Sequence, residues 1–236
     1  MKTSRRTLMT GALAMGATAA LPSLVQAKAP LQGVSPASVH RYKVGSVEVT
    51  AILDGVWPVE KPETIFGTNQ KPEDVAALLQ ANFLPNDKMA IGFTPVVVNT
   101  GKELVLFDTG RGAANGGQLA TTLAAAGFTP DQIDIVVITH CHPDHIGGVA
   151  ADGKANFPNA RYVIGETEYA FWSAPERLTG GTEGPAKLVA ANVTPFRDRM
   201  IFLKNESEVV PGIRAIDAPG HTPGHMAFHL ESEGKR

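Results

Sequence analysis

The chain of 236 residues has a single cysteine, Cys141, so no intrachain disulfide can staple it. It has no basic excess. Its 21 Lys and Arg stand against 23 Asp and Glu, too little positive charge to neutralise a phosphate backbone, and nucleic acid is therefore not an expected partner. Aromatic residues are scarce at 6% and charged residues modest at 19%, against 43% hydrophobic. These proportions belong to a soluble globular protein with one sizeable core or two small ones. They exclude disorder, collagen-like repeats and a bundle of membrane spans. The sequence also lacks internal repeats, and no linker divides it after residue 27.

The first 27 residues read as a targeting segment. Met1 to Arg6 is short and basic, Thr7 to Val25 is uncharged and rich in Ala, Gly, Leu and Met, and Val25-Gln26-Ala27 offers the small residues a signal peptidase reads. The uncharged stretch is too weakly apolar for a membrane span. Ser4-Arg5-Arg6-Thr7-Leu8-Met9 resembles a twin-arginine export signal; an ordinary signal or an uncleaved anchor is the alternative. Cleavage after Ala27 would remove Lys2, Arg5 and Arg6, leaving 18 basic against 23 acidic residues, a net charge of about −5. The expectation is an acidic, exported protein, periplasmic or secreted, with one domain over residues 28–236 and no stable membrane anchoring once the leader is gone.

The remainder alternates strands and helices, an α/β pattern. Tyr42 to Leu53 alternates around Gly45 and predicts a hairpin. Residues 58–93, heavy in Pro and Asn, predict an elaboration with one helix from Pro72 to Phe83, in which Val75, Leu78 and Leu79 keep helical spacing. Thr94 to Asp108 predicts a second hairpin, and Gln118 to Ala126 a helix closed by Gly127. Ile133 to Thr139 is a β-branched apolar run, the pattern of a strand covered on both faces. Arg161 to Ile164 reads as a strand, Glu166 to Trp172 as a helix, and Gly212–Ala218 with His225–Glu231 as a final strand pair.

The chemistry lies just after the buried strand. His140-Cys141-His142-Pro143-Asp144-His145 places three imidazoles and a carboxylate within six residues, a specific motif rather than a scatter of core histidines. Alternate side chains at a strand end share a face, so His140 and His142 can point together while Cys141 points away. Asp144 and His145 follow the turn enforced by Pro143 and can reach a second position close by. Gly147-Gly148 then lets the chain turn tightly against the site. Imidazole nitrogen and carboxylate oxygen are the ligands a borderline ion such as zinc accepts. A second loop, Ala218-Pro219-Gly220-His221-Thr222-Pro223-Gly224-His225, also follows a strand. His221 is the natural third imidazole for the first position. His225 reads as a brace of its loop and His229 as a strand-face residue. Asp108-Thr109-Gly110, closing the second hairpin, either supports the ligands from behind or forms an ordinary Asx turn.

These motifs and their order resemble the metallo-β-lactamase superfamily, from about Tyr42 to Glu231. Phe157-Pro158-Asn159-Ala160, Phe171-Trp172 and Val210-Pro211-Gly212-Ile213 make the chain most similar to its exported, methyl parathion hydrolase-like branch. The resemblance implies an αβ/βα four-layer sandwich, two zinc ions or other divalent metals, and hydrolysis by a metal-bound hydroxide. It implies that His140, His142 and His221 hold one metal and Asp144 and His145 the other, with Asp144 also orienting the hydroxide and Trp172 lining the substrate pocket.

Two departures accompany it. The family has a bridging carboxylate and a later histidine beyond the strand ending near Glu231, which these residues do not supply, so the expectation is a longer parent chain and a second half of the sandwich incomplete here. Neither Ala113–Gly117 nor Ala186–Ala191 offers an aromatic for a leaving-group pocket, which sets esters and lactones beside phosphotriesters as substrates. A small molecule is the expected partner, and a homodimer is left open. An iron-dependent, sulfur-handling oxidoreductase of the same fold and a non-catalytic metal-binding fragment are the alternative readings.

Overall fold

The computed structural model describes residues 37–236; the leader expected over residues 1–27 lies outside them. The described chain opens with the hairpin β1 (Val39–Val44) and β2 (Val47–Ile52), turning at Gly45, whose φ of 58° suits glycine. A second antiparallel pair, β3 (Gly55–Glu60) and β4 (Lys88–Phe93), brackets α1 (Pro72–Ala81). The sequence reading had the helix but not the pair, because Pro58 and Gly92 mask the alternation. The apolar stripe that predicts α1 does not mark a core: no α1 residue is buried, and Leu78 is 66% exposed.

The hairpin β5 (Val96–Asn99) and β6 (Leu104–Phe107) follows, then α2 (Leu119–Ala125). Gly127 (φ 89°) ends α2 as expected, its N–H donating to Ala124 O while Phe128 N–H donates to Leu123 O. Next come β7 (Ile135–Ile138), the short α3 (Pro143–Ile146), and the small pair β8 (Ala150–Ala151) and β9 (Lys154–Ala155). Then follow β10 (Arg161–Gly165), α4 (Glu166–Ser173), α5 (Glu183–Asn192) and β11 (Met200–Leu203). The last strands are β12 (Glu208–Val210), β13 (Ile213–Asp217) and β14 (Met226–Leu230). Sequence reasoning did not find α5, whose first turn holds Gly184 and Pro185, or the short β11 and β12.

Seven strands form one mixed sheet in the order β1-β2-β5-β6-β7-β10-β11, antiparallel as far as β6 and parallel from there. The parallel half needs crossovers, which α2 supplies between β6 and β7, and α4 with α5 between β10 and β11. A separate antiparallel sheet has the order β12-β13-β14. Alternation along β7 explains why all four of its residues are buried. Val136 and Ile138 join Leu119 and Leu123 of α2 and Val189 of α5 in one apolar cluster, whereas Ile135 and Val137 join Ile213, Ala215 and Met226 of the small sheet in another. Each fully buried aliphatic side chain contributes about 1.5–3 kcal/mol. The described layers are therefore helices, large sheet and small sheet. Among the described residues, every α-helix that buries an apolar residue does so on the first cluster, so the outer helical layer of the expected four is not seen there. No described helix is long and apolar enough to cross a membrane.

Candidate metal centre

The site forms at the C-terminal end of β7, where the parallel half of the large sheet meets the loop between β13 and β14. Thr139 to Cys141 follow β7 directly, and His142 is extended at the N-cap of α3, with Pro143 at its first turn. Thr139 O accepts a hydrogen bond from Met226 N (3.1 Å), which ties the start of β14 to this strand end. His221, carried by the intervening loop, is thereby brought to His140 and His142.

One ring nitrogen from each of His140, His142 and His221 lies within 4.8 Å of the others. Ring centroids are 4.8 Å apart for His140–His142, 4.7 Å for His140–His221 and 4.5 Å for His142–His221. His142 Nδ1 and His221 Nε2 stand 2.9 Å apart. His140 is 2% exposed, and its Nδ1 is 3.0 Å from the Thr139 hydroxyl, but its Nε2 is buried with no hydrogen-bond partner. A buried lone pair costs free energy unless something binds it. Burial first, and then the surrounding imidazoles, push His140 down to about 2 and lower His142 as well, so both rings are neutral at physiological pH. Neutral imidazoles whose free nitrogens converge are the donor set of a divalent transition metal. The residues present fit such an ion.

Asp144 and His145 form a second group beside the first. The His145 ring lies 3.8 Å from that of His140, and its Nε2 is 3.3 Å from Asp144 Oδ2. Burial opposes charge on His145, yet its hydrogen bonds to Asp108 and Asp144 push it up to about 9. Burial likewise works to raise Asp144, but the hydrogen bond and charge of His145 prevail and hold it below the ordinary carboxylate range. In the absence of metal a proton thus sits where a second cation would compete for the same nitrogen.

Asp108 stands behind both groups. Its Oδ2 accepts from the Thr139 hydroxyl (2.8 Å) and faces His145 Nδ1 (2.7 Å), while Oδ1 accepts from Thr139 N (2.9 Å). The carboxylate therefore reaches across the sheet instead of closing an Asx turn. His225 Nδ1 lies 3.2 Å from Ala218 O, across its own loop, and its ring packs 4.8 Å from His140. His229 sits on β14, opposite Arg214.

Trp172, expected to line the substrate pocket, lies beside His142. Its indole is 6% exposed, edge-on to His142 at 6.0 Å, and its N–H donates to Glu168. The cavity it lines, about 650 Å³ between α4 and α5, contains no imidazole. The Gly147-Gly148 pair is needed for close approach rather than for unusual dihedrals. A Cβ at Gly147 would overlap the Arg111 carbonyl, and one at Gly148 the Thr109 carbonyl, so this backbone lies directly on the Asp108 loop.

Two buried carboxylates were not found from sequence. Asp54 accepts from Arg111 N (2.9 Å) and Leu119 N (2.8 Å), anchoring the loop after Asp108. Glu168 lies beneath the two histidine loops. Asp54 stands alone between Leu53 and Gly55, and Glu168 follows another glutamate, Glu166, in an ordinary acidic first turn, so only depth reveals either; the helical spacing of Glu168 from Trp172 is the one visible sign.

Residues 94–236 match the family profile described as the metallo-beta-lactamase superfamily. Among curated relatives, an N-acyl homoserine lactonase, AiiA, of Bacillus thuringiensis subsp. kurstaki is 28% identical over 116 residues, 49% of this chain and 40% of that protein. An atrochrysone carboxyl ACP thioesterase of Passalora fulva is 31% identical over 147 residues, 61% of this chain and 35% of that protein. The matches thus span about two fifths or less of the length of these relatives. Among solved structures, AidC, a dizinc quorum-quenching lactonase in complex with a product, superposes with a TM-score of 0.73 at 26% identity, covering 84% of this chain and 72% of that one. The hydrolase AbOPH gives 0.73 at 27% identity, covering 85% and 72%.

Proposed function

The chain belongs to the metallo-beta-lactamase superfamily, and from that premise we propose that it is a metal-dependent hydrolase of small-molecule esters, with a lactone as the first substrate class to test and phosphotriesters as the second. One observation carries the metal dependence: His140 Nε2 is buried and partnerless beside His142 and His221. The lactone preference is supported by the lactonases among the similar proteins. Zinc is the metal proposed, on the borderline character of an all-imidazole donor set.

On this reading His140, His142 and His221 hold one cation, and Asp144 with His145 hold a second. Such ions polarise the scissile carbonyl or phosphoryl oxygen and lower the pKa of water to near 7. The chain's own groups do the rest. Asp108 fixes the ring of His145 and, through the Thr139 hydroxyl, that of His140. Asp144 offers a carboxylate oxygen at the surface of the site that orients the attacking water. Burial on the sheet side keeps His140 from being protonated in place of binding metal. Export under the twin-arginine-type leader belongs to this proposal on sequence pattern alone.

The test is hydrolysis by the purified chain, stripped with chelator and reconstituted with zinc, of an N-acyl homoserine lactone, an aryl ester and an aryl phosphotriester. Metal-restored turnover that His142→Ala and His221→Ala both abolish is the expected result. A chain that binds zinc yet cleaves none of the three, or cleaves them equally after stripping, overturns the proposal.

A further inference from the structure

Glu168 has no part in the chemistry proposed above, yet it is completely buried at the first turn of α4. Its carboxylate accepts four hydrogen bonds. Oε1 accepts from Cys141 N (2.8 Å) and from Trp172 Nε1 (2.8 Å). Oε2 accepts from the Thr222 hydroxyl (2.7 Å) and from Gly224 N (3.0 Å). Two of these partners, Cys141 and Thr222, belong to separate loops far apart in the chain. Cys141 lies between His140 and His142; Thr222 follows His221 directly. One carboxylate oxygen thus holds the loop with two of the converging imidazoles, and the other holds the loop with the third.

We propose that Glu168 is the positioning residue of the metal centre: by clamping both histidine loops to one rigid side chain, it sets the spacing of His142 and His221 and hence the affinity for a divalent cation. The proposal rests on the metal-centre reading given above. Three further features support a clamp rather than a carboxylate merely tolerated in the core. A Cβ at Gly224 would overlap the backbone N and Cα of Glu168, so the second loop lies directly on the start of α4. Trp172, one helical turn beyond Glu168, both donates to it and packs against the His142 ring, so α4 braces the first loop twice. Among the described residues no salt bridge reaches Glu168. Its four donors satisfy its lone pairs but carry no full positive charge, and a cation held by the imidazoles would stabilise a buried carboxylate in that position. A ligand-orienting group of this kind is typically worth 10–100-fold in metal affinity.

The experiment compares the full chain with Glu168→Gln and Thr222→Val, each stripped with chelator and titrated with Co²⁺, reading the dissociation constant and the visible absorption band, with the melting temperature of the metal-free proteins in parallel. Glu168→Gln keeps the volume but turns an amide N–H₂ towards two donors. It is expected to bind Co²⁺ about 10–100-fold more weakly, with an altered band, because the spacing of the imidazoles is no longer held. Thr222→Val removes one of the four donors and is expected to shift affinity and band in the same direction by a smaller factor. A folded Glu168→Gln variant with wild-type affinity and spectrum overturns the proposal, whatever its melting temperature. If Glu168→Gln does not fold, unchanged Co²⁺ binding by Thr222→Val overturns it instead. A wild-type chain that binds no Co²⁺ overturns the metal-centre reading itself, an outcome distinct from failure of the clamp alone.

Discussion

Replacing Asp108 by Asn tests the electrostatic design of the site before any substrate is known. In the metal-free protein His145 is pushed from 6.5 up to about 9 by its hydrogen bonds to Asp108 and Asp144, against the opposing effect of burial. A histidine with a raised pKa stabilises the fold fully below its unfolded value, and that stability is lost as pH climbs through the folded value. The window is therefore pH 6.5 to 9. Each unit is worth about 1.4 kcal/mol, so the whole shift amounts to about 3 kcal/mol, a ceiling for a side chain about a quarter exposed. For a domain of this size that corresponds to about 6–12 °C in melting temperature. Asn keeps an oxygen for Thr139 N but presents an N–H₂ towards His145 Nδ1, so about half of the pH-dependent loss should vanish. His140 works in the opposite direction and in another window: held neutral down to about 2, it costs stability only as pH falls below 6.5. Thermal melts of chelator-treated wild type and Asp108→Asn at half-unit steps from pH 6 to 9.5 separate these effects. A wild-type melting temperature that stays flat across the window, or a variant that falls as steeply as the wild type, refutes the argument.

Three other outcomes follow from the packing. Cys141 is buried, and that burial, followed by the charges of Glu168 and Asp108, raises its thiol well above the usual value; an aromatic disulfide reagent should leave it unlabelled in the native protein and label it once in denaturant. Ile138→Ala, at a fully buried position in the helix-side cluster, should lower urea stability by about 2–5 kcal/mol, whereas Leu78→Ala on the exposed face of α1 should change it by less than about 0.5. Gly148→Ala should cost about 1–3 kcal/mol and weaken metal binding together, since its methyl group would push the Thr109 carbonyl and with it the Asp108 loop; a stable variant with normal metal affinity counts against that contact.

The parts of this structure that could be read from sequence are those whose signal is local. Gly45 and Gly127 end elements by backbone conformation, Ile135–Ile138 announce burial on both faces, and His140-x-His142 alternate at a strand end, so each carries its own evidence within a few residues. What escaped was long-range. Nothing near Glu168 in the chain shows that Thr222 and Gly224 will donate to it, and nothing near Asp54 shows that Arg111 and Leu119 will. The strands β3, β11 and β12 are short or interrupted and owe their pairing to partners elsewhere. Trp172 likewise has contacts that its place in the sequence does not show: its N–H donates to Glu168 and its ring packs edge-on to His142.

The position of the centre at a seam between sheets explains why so many of its supports are distant. His140 and His142 extend from the large sheet, whereas His221 hangs from the small one, so their convergence depends on how the two sheets lie against each other. The cluster of Val105, Ile135, Val137, Val163, Ile213, Ala215 and Met226 packs between them, and the Met226 N to Thr139 O bond fixes the register at the edge nearest the site. Close packing transmits a lost methylene as a shift of whole elements. Met226→Ala, with its side chain 2% exposed in that cluster, should therefore weaken Co²⁺ binding as well as stability, while Leu123→Ala, equally buried but on the helix side, should lower stability alone. Metal titration of the two variants at matched stability distinguishes a seam-controlled centre from one defined by its loops: equal Co²⁺ affinity in both would show that the inter-sheet packing has no part in assembling the three imidazoles.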